Sequence, residues 1–246
     1  MNFSRGTIIK VIVEYNNHGY MVHLNDYLGS YTRGKSEDIA LEKVSSEVER
    51  YCKWAGWDIP VNAEPLVIKH CYTNSRIDDG DTEVLLDFDK CEISDELFIE
   101  YYRLAMLSAQ SLQVLYDSVL DKQWVDISKQ RKTFYGDTPC TAEEMIWHVD
   151  KVQGYYMSRI GIDLMIIPNE FLHNRIVCLE VLEKLWSNNK TINEFNIDNE
   201  SWTLLKLLRR FMWHDLIHAK ALYRLGLKIP ENSIHLEDPF LFGITC

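Results

Sequence analysis

The sequence predicts an α+β protein in two parts, a small β-β-α-β domain over residues 1–90 and an all-α four-helix bundle over residues 93–246 that includes a C-terminal tail. Three observations carry this prediction. Residues 7–24 hold two β-branched, near-alternating runs around a turn; after Ile93 the apolar residues recur at helical spacing; and Thr141 to Glu144 forms a Thr-x-x-Glu capping box, the best local helix start in the chain.

The first strand is residues 7–15, rich in Ile and Val. Asn16-Asn17-His18-Gly19 makes the turn, and Tyr20 begins a second apolar run, so the two form a hairpin. Ser36 then opens a helix in which Ile39, Val44, Val48, Tyr51 and Cys52 recur at helical spacing. Glu37 and Asp38 favour its first turn and Gly56 ends it. A third strand is expected at residues 65–72 and a shorter one at 82–88, separated by the turn-rich residues 74–80.

Beyond Ile93 four helices are expected. The first, capped by Ser94 or Asp95, runs to about Leu120 with Leu97, Tyr101, Leu104, Leu112, Leu115 and Val119 inward. The second starts at the capping box and continues to about Ile160. Pro168 and Asn169 open the third, with Leu172, Ile176, Leu179, Leu182 and Trp186 inward. A polar connection over residues 187–200 leads to the fourth, from about Ser201 to Leu225.

With 246 residues, 46% of them hydrophobic, the chain has enough apolar surface for a substantial core, which excludes disorder as a reading of the whole. A net charge of -11 repels phosphate backbones, and the one basic run, Lys129-Gln130-Arg131-Lys132, reads as solvated surface; no nucleic-acid partner is expected. No stretch approaches the roughly 20 apolar residues of a membrane span, and the first residues carry no signal-type apolar core. The expectation is a cytoplasmic protein with no membrane partner. Cys52, Cys71, Cys91, Cys140, Cys178 and Cys246 include no Cys-x-x-Cys pair, which argues against a thiolate zinc site and fits reduced thiols.

On the fourth helix Leu204, Leu207, Phe211, His214, His218, Ala221 and Leu225 follow one inward stripe. His214 and His218 stand one turn apart, so both rings can converge on one ion. The second helix supplies a third candidate, because Met145, His148, Val152 and Tyr155 also lie at three-four-three spacing. Each histidine alone reads as a satisfied core residue, but three unpaired imidazoles would cost on the order of 1–3 kcal/mol each, which shared coordination turns into stabilisation. The expected site is therefore a divalent metal, zinc or nickel, held by His148, His214 and His218.

His214-Asp215-Leu216-Ile217-His218 also differs from the zincin signature by one methylene. That reading requires a third ligand from Glu231, His235 or Glu237, and the shorter Asp draws the general base away from the metal-bound water. His173 reads as solvent-facing. Tyr155 and Arg159 continue the His148 face but read as packing and surface. Asp150 and Asp215 lie about 100° round the helix for each residue step from their neighbouring histidines, so either would serve only a histidine on a facing helix.

Two resemblances extend this reading. Gly19-Tyr20-Met21-Val22, Gly29, Thr32, Gly34, Ser36 and Ala40 resemble the HicB-like antitoxin domain over about residues 1–90. The family's proline-containing turn is replaced here by Asn25-Asp26-Tyr27-Leu28, and no DNA-binding segment follows; the resemblance implies a fold and a protein-partner-binding role. Trp147-His148-Val149-Asp150 and His214-x-x-x-His218 resemble the metal tripod of DinB-like four-helix proteins over about residues 93–226. That family includes thiol-dependent S-transferases and a maleylpyruvate isomerase, and homodimers are common in it. It implies a metal-dependent enzyme acting on a small thiol or electrophilic substrate, in which a metal-activated thiolate or water is the nucleophile. The other function class is a non-catalytic binding protein with a structural metal and a HicB-like domain that takes a protein partner.

Overall fold

The computed structural model describes residues 7–82, 84–92, 94–133, 136–188, 194–198 and 200–244. It is a mixed α+β structure that divides into two compact units, Met1–Cys91 with Phe240–Cys246, and Glu92–Pro239. Among the described residues no helix is long and apolar enough to cross a membrane.

In the first unit, β1 (Ile8–Asn16), β2 (Gly19–Leu24), β3 (Tyr31–Gly34) and β4 (Glu64–Tyr72) form one sheet in the order β3-β2-β1-β4. The β1–β2 hairpin is antiparallel and sets Tyr15 opposite Tyr20, while β4 returns parallel to β1. A parallel return needs a crossover, which α1 (Glu37–Leu41) and α2 (Val44–Ala55) supply. One face of β1 and β2 presents Val11, Val13, Val22 and Leu24; the other presents Ile12 and Met21 beside a buried Glu14–His23 pair. Gly56 ends α2 with φ of 72°, a left-handed position where a Cβ would be strained.

Three sequence expectations change here. The strand β3 was not anticipated, because Tyr31-Thr32-Arg33-Gly34 is short and polar; Thr32 is nonetheless buried and its hydroxyl donates to the Ala40 carbonyl at 2.7 Å. The helix expected from Ser36 to Gly56 is two helices with Glu42 and Lys43 between them. Residues 84–88 are not a strand: the Asp89 carboxylate accepts from the Leu86 amide at 2.8 Å and residues Asp87–Lys90 close a 3₁₀ turn, a local bond that competes with a sheet ladder. Residue 83 of that expected strand lies outside the described residues.

Of the tail, expected to follow the helices as part of the second domain, the part up to Pro239 stays with the second unit and Phe240–Cys246 groups with the first. Arg50 donates to the Phe240 carbonyl at 2.9 Å and Trp54 stacks on the Phe240 ring at 5.8 Å.

The second unit contains α3 (Asp95–Ser118), α4 (Ala142–Ser158), α5 (Phe171–Asn188) and α6 (Leu204–Gly226). Both α3 and α4 pack against α5 and against α6. The caps are those the sequence specifies: Ser94 accepts from the Leu97 amide, and Thr141 and Glu144 satisfy each other's backbone amides reciprocally. The last helix begins at Leu204 rather than Ser201, since Glu200–Trp202 pairs with Phe195–Ile197 in a small hairpin and Thr203 caps the helix. Residues 189–193 and 199 of the expected connection lie outside the described residues.

The inward face of α5 also differs from expectation. Leu179, Leu182 and Trp186 are buried as expected, but Ile176 is 41% exposed and Leu172 half-buried, while Asn174 and Arg175 are buried. An apolar-only stripe misplaces this helix, because its polar residues face inward to one another's partners.

Candidate metal centre

α4 and α6 pack side by side, and their contact brings His148, His214 and His218 together. His214 and His218 are one helical turn apart with ring centroids at 4.5 Å. His148 approaches from α4, its ring 5.2 Å from that of His214 and 4.9 Å from that of His218. One nitrogen from each ring lies within 4.8 Å of the others. Around a tetrahedral ion with bonds of about 2.0–2.1 Å, ligand nitrogens stand roughly 3.3 Å apart, so small side-chain rotations suffice to close the tripod.

The surroundings fit neutral donors. Burial, then the charges of His218 and His148, push the His214 imidazole well below its ordinary range; burial, then His148, pushes His218 down to about 3. Burial and, after it, Lys151 lower His148. All three rings are therefore unprotonated at neutral pH, the form that ligates metals. None of the three rings has a hydrogen-bonding partner among the described residues, so one nitrogen of each is left open toward the cluster. A divalent cation would satisfy all three at once.

The stripe through His148 is less central than its spacing predicts. On α4 the buried line is Met145, Val149, Gln153 and Tyr156, whereas His148 and Val152 are half-buried and Tyr155 is exposed. His148 thus stands at the flank of the helix interface and His214 at its interior. The ring of Tyr156 packs edge-on to that of His214 at 5.8 Å, and burial raises its phenol above the ordinary range. Tyr156 carries no signal of its own in the sequence, because the spacing through His148 leads to Tyr155, one residue away from the buried line.

The two aspartates beside the histidines serve neither ring. Arg175 makes a two-pronged ion pair with Asp215, at 2.8 and 2.9 Å, and also donates to Gln153 and to the Ala105 carbonyl. Its guanidinium lies 4.4 Å over the Phe211 ring. Asp150 accepts from Asn174 at 2.8 Å and from Gln153 at 3.1 Å. Groups from all four helices thus meet in one buried polar network. Gln153, Asn174 and Arg175 were not singled out from sequence; a buried arginine one turn from apolar positions gives no signal until its acid is known.

The remaining candidates stay apart from the triad. Tyr155 accepts from Arg159 at 2.7 Å, and Arg159 also pairs with Asp198. His173, Glu231, His235 and Glu237 are exposed, and none joins the cluster. Gly154 lets the loop after α4 approach closely: a Cβ there would meet Ile166 at 2.8 Å. Compared with known protein families, curated proteins and solved structures, the chain matches none.

Proposed function

We propose that the chain is a divalent-metal-binding protein of the DinB-like type, with α3 to α6 arranged as its four-helix bundle and zinc or nickel held by His148, His214 and His218. The observation that carries this reading is the convergence of three neutral imidazoles, without hydrogen-bonding partners, on one point between two helices. The zincin alternative has no support from its own candidate third ligands, which lie outside the cluster.

A metal bound there would act as a Lewis acid, lowering the acidity constant of a thiol or water towards neutrality. The chain's own residues define what such a site accepts. Three neutral ligands leave the cation's charge uncompensated, and Arg175 is already neutralised by Asp215, so the free position favours an anionic ligand such as a thiolate. Half-buried His148 and His218 keep the cluster within reach of small molecules. These features support a metal-dependent enzyme, a thiol S-transferase in which the thiolate attacks an electrophilic carbon and displaces its leaving group, acting as a homodimer in the cytoplasm. The test is thiol consumption with an activated aryl halide, using protein loaded with zinc or nickel. Turnover that disappears in His218→Ala supports the reading, and no turnover with either metal and several small thiols contradicts its catalytic part.

A second reading rests on the first unit. Its edge strand β4 exposes Leu66, Ile68 and Tyr72, a surface suited to a protein partner, as the HicB-like resemblance implies. On this reading the metal is structural: its removal would lower the melting temperature sharply, whereas a catalytic ion would leave the fold largely intact.

A further inference from the structure

Arg50 lies on α2 in the first unit, and its hydrogen bonds go to two different partners. Nε and Nη2 donate to the Glu47 carboxylate at 3.0 and 2.7 Å, and the Ser30 hydroxyl donates to the same carboxylate at 2.8 Å. Nη1 donates to the Phe240 carbonyl at 2.9 Å, its one acceptor among the described residues. Beside it the rings of Trp54, Phe240 and Phe242 form a continuous stack, with centroids 5.8 and 5.4 Å apart and planes within 18° and 12° of parallel. The guanidinium also lies 5.7 Å from the centre of the Phe242 ring. Residues 240–242 are thus held by a charged donor for one peptide carbonyl and by an aromatic platform for two rings.

Trp and Arg are the residue types that dominate recognition surfaces, where an aromatic face takes a side chain and a fixed cation takes a main-chain oxygen. The seat lies at the surface of its unit, since Trp54 and Leu241 are half-buried and Gly243 is exposed. The segment in it is lightly held. Residues 240–244 pair with no strand and form only the 3₁₀ turn Phe242–Ile244, so they can leave without opening the sheet or a long helix. Once they leave, the buried arm of Arg50 requires another carbonyl.

The seated segment is also strained. Leu241 has φ of 62°, a left-handed conformation that is costly for a residue with a Cβ and that glycine adopts freely. Strain of this kind collects at ligand clamps and switch segments. A leucine there makes the chain's own segment a weaker occupant than the seat can accept.

We propose that the seat of Arg50 and Trp54 is a peptide-binding site that residues 240–242 occupy as a strained internal ligand, and that its external ligand is a protein segment of aromatic-Gly-aromatic sequence. Such a segment supplies the carbonyl for Arg50 and two rings for the stack, and its glycine takes the left-handed turn without strain. The internal segment, tethered at an effective concentration of about millimolar, closes the seat to poorly fitting peptides. The same segment of a second copy carries the same Leu241 and gains nothing by exchange. This site is independent of the metal centre.

The experiment is fluorescence anisotropy of the full chain with two labelled peptides, one copying residues 238–244 and one carrying Leu241→Gly in that copy. Both should bind saturably to the chain with Phe240→Ala and Phe242→Ala, whose seat is vacated, and at least tenfold more weakly to the wild type. The glycine peptide should bind about fivefold more tightly than the leucine peptide, the worth of one relieved left-handed residue. Because loss of two buried rings can disturb folding, Leu241→Gly in the chain itself is the second variant. It strengthens the internal ligand, so it should weaken binding of the glycine peptide about fivefold relative to the wild type while circular dichroism stays unchanged. No saturable binding to the folded double variant, equal affinity for the two peptides, or a Leu241→Gly chain that binds the glycine peptide as tightly as the wild type would each overturn the proposal. So would a wild-type dimer in sedimentation that Phe240→Ala dissociates, since the seat would then belong to the same segment of a second copy.

Discussion

His214 is the most enclosed of the three imidazoles, with Tyr156 against its ring and the Arg175–Asp215 pair one residue further along the helix. Its loss should therefore remove a ligand that nothing replaces. His214→Ala and His218→Ala are expected to weaken zinc binding by more than the roughly 10–100-fold that accompanies loss of a group merely supporting a ligand. Competition with a chromogenic chelator measures this. The buried Arg175–Asp215 ion pair gives a stability prediction. Truncating one partner of a buried ion pair leaves the other charge uncompensated, so Arg175→Met should cost about 3–5 kcal/mol in urea unfolding. A cost below about 1 kcal/mol would mean the pair is not closed off from water. In the first unit the pH dependence follows from Glu14. Its folded carboxyl is held below the ordinary value of 4.5, so the unfolded chain takes up protons first. The stability it contributes is complete above that ordinary value and is lost as pH falls through the lower folded one. Amide exchange in β1 and β2 between pH 6 and 3 should show this loss, and Glu14→Gln should flatten it.

At the scale of elements, local chemistry specified most helix starts. Thr141 and Glu144 form the reciprocal cap that their spacing announces, and Thr141→Ala should lower stability by about 1 kcal/mol by thermal melting. The mixed α+β class was legible from strand and helix periodicity, and the pairing of His214 with His218 because i, i+4 spacing fixes geometry within one helix whatever surrounds it. Features that depend on partners were not legible. Ile176 was placed inward on apolar character, yet Asn174 and Arg175 hold that face because their acceptors arrive from α3, α4 and α6. Strand β3 is short and polar, and only its pairing with β2 makes it a strand. The position of His148 lay between these cases, since its helix was evident but the rotation of that helix depended on Gln153 and Tyr156.

At the scale of the whole molecule the histidine cluster lies within the unit Glu92–Pro239. A ligand that binds only the folded form stabilises the unit that holds it, by about 2.7 kcal/mol at a hundred times its dissociation constant. Zinc should therefore protect amides of α4 and α6 from exchange and leave those of the β1–β4 sheet unchanged. The most direct test of the central claim is calorimetric titration of metal-free protein with zinc and with nickel, repeated on His148→Ala, His214→Ala and His218→Ala. The account predicts one equivalent of metal per chain, with binding lost or severely weakened in every variant. Wild-type protein that takes up neither ion, or variants that bind as tightly as wild type, would contradict it.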